Sequence, residues 1–422
     1  MSKVVLWLKD DLRIEDSRAF KLAMQEGIGA VVFIDAPAAG AVPKTPRRLS
    51  FETATLNRIA ATLRPIGITC RRLAGRPEDA LPAICAETGA TKVVANTQVG
   101  DAVSYWSDRA AAHALRAAGI QFVETANDGI RRGSGDRPRG FIDLQADIPR
   151  KKSAQAHPFT TLMTFLHRLP DANYRRDMWL PGPDTDATSR LSIHFACGAL
   201  STERALYEIT LLEQATTNTW KLKVYQQFAA RLYWRRAFIQ DFEDNLSAFP
   251  TGPTREARPH DDEHLGAWLE GRTGVPMVDA AMLDLIANGW INFRLRQLVA
   301  SFALDILQLD IFVVGHALGS LFDDFEPGIH WAQIALQGGM AHGRGPRIIN
   351  PVKQGRDLDP SEAWVRSRLP GLADVPAGAA HDPWRYDDAR FKPIVDPVEA
   401  ARVARARYPS ATSKARTSAF IG

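Results

Sequence analysis

Residues 4–34, VVLWLKDDLRIEDSRAFKLAMQEGIGAVVFI, predict a strand, a helix and a second strand. Residues 4–8 and 30–34 are short apolar runs, whereas residues 12–25 carry apolar side chains at helical spacing and end just before Gly27. The pattern continues with predicted strands over 68–73, 92–95 and 120–123 and predicted helices over 48–63, 77–88 and 102–118. This alternation predicts a parallel, doubly wound sheet.

A doubly wound sheet usually binds its ligand at the carboxyl edge of the strands. No GxGxxG follows the first strand, and no GxxxxGK[ST] is present in the chain. The sequence of the α/β part therefore predicts its fold, but it does not predict a ligand or a reaction.

Length and composition limit the class of protein. The chain has 422 residues, 52 basic and 48 acidic, and it is longer than the roughly 250–300 residues at which single cores stop growing. Its three cysteines form no CxxC pair, so we expect neither a disulfide framework nor a metal site. MSKVVLWLKDD is no signal peptide, and the longest apolar stretch, 311–322, is too short for a bilayer. We expect a cytoplasmic monomer without membrane contact.

The pattern changes twice along the chain. Residues 126–185 are rich in glycine, proline and charge, and after Leu191 the sequence is helical except near 248–262 and 337–353. We predict an α/β domain over 1–125, a linker over 126–185 and an all-α domain over 186–422. Residues 126–154 hold seven basic and four acidic side chains, which fits either a solvated connection or a basic flank for phosphates.

The first informative segment of the helical part is TSRLS, residues 188–192, directly before an apolar helical pattern. Hydroxyls, an arginine and backbone N–H groups at a helix start can bind phosphate. An ordinary N-cap beside a solvated arginine is the alternative interpretation.

The second is QQFAARLYWRRAF, residues 226–238, in which Gln227, Arg231, Trp234 and Phe238 share one stripe of a helix. An aromatic ring beside a guanidinium can hold a nucleobase by stacking. A tryptophan that closes the core, with an arginine extending past it, would give the same pattern.

The third is TGVPMVDAAMLDLIANGWINFRLRQLVASF, residues 273–302, in which Asn288-Gly289 ends one helix and Trp290 opens the next. On a helical wheel, Arg294 lies with Trp290 and Gln297, and Arg296 lies opposite with Asn292 and Phe293. Such a helix separates two polar or anionic ligands, unless both arginines pair with carboxylates such as Asp323 and Asp324.

The segment after these aspartates contributes Glu326, His330 and Trp331. A lone histidine beside a tryptophan is more often structural than catalytic. No HExxH and no GxSxG is present, which argues against metal hydrolysis and Ser-His-Asp chemistry.

Together these segments make the chain similar to the photolyase/cryptochrome family along nearly its whole length. The resemblance rests on VVLWLKDDLRIEDSRAF, TSRLS, YWRRAF, TGVPMVDAAM, GWINFRLR, FEPGIHWAQ and RIINPVKQGRDLDPSEAWVRSRLPGL. GWINFRLR and FEPGIHW most resemble the bacterial iron–sulfur branch, but all three cysteines precede residue 198, so we expect a short, cluster-free member.

The resemblance implies FAD bound in the helical domain. It places the diphosphate at Thr188, Ser189, Arg190, Leu191 and Ser192, and Arg235, Asp279 and Phe293 around the cofactor. Arg296 matches the arginine beside the isoalloxazine, paired with Asp323 or Asp324, and Glu326 is a candidate to face flavin N5. Relatives often bind an antenna pigment in the α/β domain, but no motif in this sequence identifies such a pigment.

The resemblance also implies UV-damaged DNA as the partner. Arg231, Trp234, Arg294, Gln297 and Trp331 match lesion-side positions, and Trp234 and Trp331 would wall the pocket for an extruded pyrimidine dimer. Excited, reduced FAD would donate an electron to a cyclobutane dimer, as in a deoxyribodipyrimidine photolyase. A cryptochrome-like photoreceptor and a (6-4) photoproduct repair enzyme are the alternatives.

Some positions depart from the family pattern. Arg231 and Phe293 replace a common glutamate and asparagine, and Ile329 replaces the first tryptophan of the usual photoreduction chain. The pair Asn292-Phe293 lacks the histidine of animal-type (6-4) enzymes, which favours cyclobutane dimers. The chain ends soon after an Ala/Arg helical segment near residues 398–407, which favours repair over signalling.

Overall fold

The protein forms two compact units. The computed structural model describes residues 3–36, 41–131, 157–182, 187–249, 261–340, 346–387 and 390–407. The first unit comprises Met1–Arg175, Asp186–Leu246 and Asp323–Ile329, and the second Arg176–Thr185, Ser247–Phe322 and His330–Gly422. Residues 186–246, which the sequence analysis assigned to the helical domain, thus group with the α/β part, and the domain limits stay a prediction.

A parallel sheet forms the centre of the first unit. Its strands are β1 (Lys3–Leu8), β2 (Ile28–Asp35), β3 (Cys70–Ala74), β4 (Ala90–Asn96) and β5 (Gln121–Thr125). Its crossover helices are α1 (Arg18–Glu26), α2 (Pro46–Leu63), α3 (Pro77–Thr88) and α4 (Ala102–Ala117). The strand order is β3-β2-β1-β4-β5, and every pairing is parallel, which confirms the predicted doubly wound sheet.

The sheet is buried on both faces because its side chains alternate between two cores. Val4, Leu6 and Leu8 of β1 pack in the cluster that includes α1 and α2. Val5 and Trp7 point the other way, into the cluster that includes α3 and α4. Both faces of β1 are therefore apolar, as expected for a central parallel strand.

Asn96, the last residue of β4, ties several elements together at the carboxyl edge of the sheet. Its Oδ1 accepts from the Ala19 N–H at 3.1 Å and from Thr125 Oγ1 at 2.6 Å. Its Nδ2 donates to Ser17 Oγ at 3.0 Å and to the Asp11 carboxylate. One buried amide thus joins β4 to β5, to α1 and to the segment that follows β1.

The rest of the described chain is mainly helical. The helices are α5 (His157–Arg168), α6 (Tyr174–Asp177), α7 (Ser192–Ala196), α8 (Thr202–Ala215), α9 (Thr219–Asp244), α10 (Asp262–Leu269), α11 (Pro276–Asn288), α12 (Phe293–Ser301), α13 (Ile311–Leu321), α14 (Pro327–Gln337), α15 (Pro351–Leu358), α16 (Ala363–Arg368) and α17 (Pro397–Arg407). A π-helical turn, Phe302–Ile306, follows α12. None of the described helices combines the length and hydropathy that crossing a membrane requires.

The predicted linker is partly regular. Leu162, Phe165 and Leu166 of α5 are buried, so residues 157–168 form a packed helix within the predicted linker. Residues 132–156, which carry most of the predicted basic flank, lie outside the described residues.

The start of α12 differs from the prediction. As predicted, α11 ends at Asn288, and Gly289 follows in the left-handed region with φ 63°. However, α12 begins at Phe293, three residues after Trp290. Asn292 has extended backbone angles, and its Oδ1 accepts from the Leu295 N–H at 3.0 Å, so this side chain caps the helix. The predicted start at Trp290 was wrong.

Candidate functional site

TSRLS forms a turn that leads into a helix. Ser192 is the first residue of α7, and the fully buried Leu191 occupies the N-cap position without a side-chain cap. Arg190 has a φ of 54°, which is uncommon for a residue with a side chain, and Ser189 Oγ accepts from the Leu191 N–H at 3.3 Å. Residues with hydroxyl groups and a guanidinium thus lead directly into a helix start, and donors of these kinds suit a diphosphate.

Arg235 on α9 is shared between two carboxylates in the first unit. Its Nη2 donates to Glu326 Oε1 at 2.5 Å, and its Nη1 donates to Asp128 Oδ2 at 3.2 Å and Thr202 Oγ1 at 3.1 Å. Asp128 Oδ1 also accepts from the Thr202 N–H at 2.6 Å at the start of α8. The network fixes α9 against α8 and against the segment before α14.

The two carboxylates of this network differ in acidity. Burial raises the pKa of Glu326, and Arg235 offsets part of that rise. Burial also opposes ionisation of Asp128, but Arg235 and Arg13 outweigh it and hold the pKa of Asp128 below its usual value. Asp128 is the more strongly ionised partner of Arg235. The sequence analysis missed Asp128, although a half-buried arginine requires a carboxylate nearby.

The segment 323–326 is held by the start of α2. Thr45 Oγ1 donates to Asp323 Oδ1 at 2.5 Å, and Arg47 Nε donates to Asp323 Oδ2 at 2.9 Å. Arg48 donates from Nη1 to the Phe325 carbonyl. The sequence analysis considered Asp323 or Asp324 as the partner of Arg296 and did not anticipate these donors from α2.

Helix α9 carries aromatic side chains that remain partly accessible. Arg231 is exposed, and Trp234 and Phe238 are half-buried, with ring centroids 6.0 Å apart at an angle of 35°. Beside Arg231, burial raises the pKa of Tyr174 to about 12, while the arginine acts to lower it. A tryptophan in the interior would be fully covered, so the accessible ring of Trp234 favours the stacking interpretation of this stripe.

The two arginines of α12 have different aromatic neighbours within the second unit. The Arg294 guanidinium lies 4.9 Å from the ring centroid of Trp179, and that of Arg296 lies 4.0 Å from the centroid of Phe322. Arg296 Nε also donates to the Ile291 carbonyl at 2.9 Å. The wheel predicted this separation, and the functional roles of the two arginines stay a prediction.

Trp331 and Gln297 are packed inside the second unit. Trp331 is 1% exposed and lies parallel to Phe312, with ring centroids 6.1 Å apart. A Cβ added at Gly315 would clash with Cζ3 of this indole, so only glycine leaves room for it. Gln297 is 4% exposed. Because the Trp331 side chain is almost completely buried, its ring has no accessible face on which a base could stack. The expected contact of Trp331 with an extruded base therefore does not match its packing.

The remaining predicted residues have mainly structural contacts. Asp279 Oδ1 accepts from Thr273 N at 2.8 Å and Oγ1 at 2.6 Å, and its Oδ2 accepts from Gly274 N at 2.9 Å. Burial raises the pKa of Asp279 to about 6. The ring nitrogen Nε2 of His330 lies 2.7 Å from the Gly315 carbonyl, consistent with a structural histidine. Phe293 lies 6.0 Å from Trp179 between ring centroids, so it shares this neighbour with Arg294, and the predicted grouping of Phe293 with Arg296 was wrong. Asp324 is buried.

Two family models match the chain in order. Residues 4–130 match the model described as DNA photolyase, and residues 226–417 match the FAD binding domain of DNA photolyase. The chain belongs to the DNA photolyase family. The matched C-terminal region corresponds to the FAD binding domain of that family.

Relatives of this photolyase-family chain carry both photolyase and cryptochrome names. It is 32% identical to the deoxyribodipyrimidine photo-lyase of Streptomyces griseus over 251 residues, 55% of this chain and 53% of that protein. With a deoxyribodipyrimidine photo-lyase of Thermus thermophilus it shares 28% identity over 91% of this chain and 95% of the relative. The Synechocystis sp. PCC6803 cryptochrome structure matches with a TM-score of 0.82 and 20% identity, over 96% of this chain and 99% of that one. The chain spans about half the length of several curated photo-lyase relatives, including that of Streptomyces griseus. The Synechocystis match, at 20% identity, shows a shared fold.

Proposed function

We propose that this photolyase-family chain uses FAD and blue light to repair cyclobutane pyrimidine dimers in DNA. Bound FAD would supply the light-driven electron chemistry, for which no protein nucleophile is needed. The observation that carries the proposal is the accessible Trp234–Phe238 ring pair beside the exposed Arg231. The photo-lyase relatives support the same reaction.

The residues that would hold FAD are those carried over from the family. Thr188, Ser189, Arg190 and Ser192 would bind the diphosphate through hydroxyl groups and a guanidinium, and their arrangement at the start of α7 fits that task. Arg235, which Asp128 and Glu326 hold in place, would add fixed positive charge. Fixed cations favour an anionic form of a cofactor.

The exposed face of α9 would receive the damaged bases. Stacking of a base on an aromatic side chain is worth about 1–3 kcal/mol, and Trp234 together with Phe238 offers two tilted rings. A dimer is easier to unstack than intact bases, so extrusion itself adds selectivity. Arg231 on the previous turn would contact a neighbouring phosphate.

The test is a repair assay on purified full-length protein with its flavin reduced. We expect blue light to remove cyclobutane dimers from UV-irradiated oligonucleotides, with dimers counted by chromatography and a dark sample as the control. If the dimer content stays constant while the flavin is reduced and reoxidised normally, the repair proposal is wrong. The cryptochrome-like photoreceptor, which the Synechocystis neighbour also suggests, would then be the better assignment.

A further inference from the structure

Helix α2 of the sheet domain contacts two segments that the family resemblance associates with FAD. One is α7, which begins inside TSRLS, and the other is the segment 323–326. We propose that Arg48 on α2 is a positioning residue for the FAD site, because it holds both segments at once. The proposal rests on the proposed binding of FAD.

Each of the three guanidinium nitrogens of Arg48 donates a hydrogen bond to a residue of the first unit. Nη2 donates to the carbonyl of Ala196, the last residue of α7, at 3.3 Å. Nη1 donates to the carbonyl of Phe325, and Nε donates to Glu52 Oε1 at 3.0 Å. Arg48 is 3% exposed, so these contacts replace the water that a charged group would otherwise bind. Its position is therefore fixed by the segments it joins.

The geometry requires arginine. Two carbonyls and a carboxylate lie in three directions around one planar group, which matches the fork of a guanidinium. A lysine ammonium is a compact charge and would not reach all three acceptors with the same geometry. The charge is balanced locally because Glu52 lies one helical turn away.

The neighbouring residues of α2 hold the same segment from its other end. Thr45 Oγ1 accepts from the Arg48 N–H at 3.0 Å, which caps α2, and also donates to Asp323. Arg47 contacts the second oxygen of Asp323. The segment is thus fixed at residues 323 and 325, on both sides of Asp324. Because the resemblance places acidic residues of this segment near the flavin, a shift of the segment would change the field at the cofactor.

The test variant is Arg48→Met combined with Glu52→Gln in the full-length chain. Methionine keeps the length of the arginine stem, and glutamine avoids leaving the buried Glu52 carboxylate without Arg48, one of its two cationic partners. Glu52→Gln alone is one comparison, because it separates the loss of Glu52, which also contacts Lys44 and Cys197, from the loss of the Arg48 donors. Arg58→Leu is the other, because Arg58 is an arginine of the same helix whose hydrogen bond, to Thr55, stays within α2.

We expect the double variant to release FAD about ten-fold faster or more, since hydrogen bonds from a charged group are lost. The visible circular dichroism of the bound flavin and its midpoint potential should also shift. In the FAD-free chain, hydrogen exchange over 193–197 and 323–326 should accelerate. Arg58→Leu should keep wild-type values. Glu52→Gln alone, which keeps the Arg48 donors, and Arg48→Lys, which keeps the charge without the fork, should both give smaller changes than the double variant.

Unchanged FAD release together with unchanged hydrogen exchange in the double variant would overturn the proposal. Equal effects in Arg58→Leu would also overturn it, because a general weakening of α2 would then explain the result. If the wild-type chain holds no FAD, the proposed function fails. The exchange measurement on the FAD-free chain still decides whether Arg48 holds the two segments.

Discussion

The guanidinium of Arg235 lies 2.5 Å from the carboxylate of Glu326, and this contact joins α9 to the segment before α14. The same guanidinium also contacts Asp128, so one cation serves two carboxylates. Burial and the nearby Asp128 favour the neutral form of Glu326, whereas Asp128 stays ionised. The network therefore depends on Asp128 more than on Glu326.

Substitution Asp128→Ala should destabilise the first unit strongly. The change leaves Arg235 without its ionised partner and removes the acceptor for the Thr202 N–H at the start of α8. Loss of a buried ionic partner typically costs about 3–5 kcal/mol. Thermal unfolding followed by circular dichroism measures the effect. Asp261→Ala, at the exposed cap of α10, is the control and should cost about 1 kcal/mol; equal losses would contradict the assigned role of Asp128.

Substitution Trp234→Ala should weaken binding to dimer-containing DNA while FAD content is retained. The loss of one base–aromatic stack corresponds to about 1–3 kcal/mol, or about 5- to 150-fold in affinity. Fluorescence anisotropy with damaged and undamaged oligonucleotides measures it. Trp106→Ala removes another accessible tryptophan, 65% exposed on α4, and should leave binding unchanged. Retained affinity in Trp234→Ala would show that α9 does not receive the bases.

The stability contributed by Asp279 should fall as pH rises. Its pKa is about 6 in the folded chain against an ordinary value of 3.8, so the folded form holds a proton that the unfolded form has released. The contribution is therefore complete below about pH 4 and is lost as pH rises towards 6; the pKa difference corresponds to about 3 kcal/mol.

Melting temperatures of wild type and Asp279→Asn between pH 4.5 and 7.5 test this. The wild type should lose several degrees relative to the variant up to about pH 6, with a constant difference above that. Asp261→Asn is the control: backbone N–H groups lower the pKa of Asp261, so this carboxyl stays ionised in the folded and the unfolded chain across this pH range, and the variant should run parallel to wild type. Parallel curves for wild type and Asp279→Asn would contradict the assignment.

Binding to damaged DNA should weaken with added salt, and Arg231→Ala should reduce the salt dependence. A side chain that contacts one phosphate contributes roughly one unit to the slope of log K against log salt. Anisotropy titrations at several salt concentrations measure the slope. Arg76→Ala, which removes an exposed arginine paired with Asp79, should leave the slope as in the wild type. An unchanged slope in Arg231→Ala would place this arginine away from the phosphates.

The sequence predicts the α/β part of the fold well because its signals are local. Alternating apolar runs and helical spacing place all five strands within about two residues, and α3 matches its prediction at both ends. The helix over 12–25 is an exception, since α1 begins only at Arg18 after Ser17 caps it. Propensity alone does not show which polar residue acts as the cap.

The sequence predicted the position of candidate-site residues only where they belong to a recognisable local motif. TSRLS and the α9 stripe lie where the pattern indicated, whereas the burial of Trp331 depends on Gly315 and Phe312, which are distant from it in sequence. The contacts of Asp323 with Thr45 and Arg47 join residues more than 270 positions apart. A single sequence gives no information on such pairs, because neither period nor spacing connects them.

The contacts of Asn96 also make the crossover connections of the sheet sensitive to deamidation of this one side chain. Hydrolysis of its amide would turn the N–H donor that faces Asp11 into an anionic oxygen, so two like charges would meet in the interior. The hydrogen bond to Asp11 would be lost, although the covalent change involves one group. Deamidation of Asn96 would therefore destabilise the sheet domain from its interior, without changing any residue proposed to contact FAD or DNA.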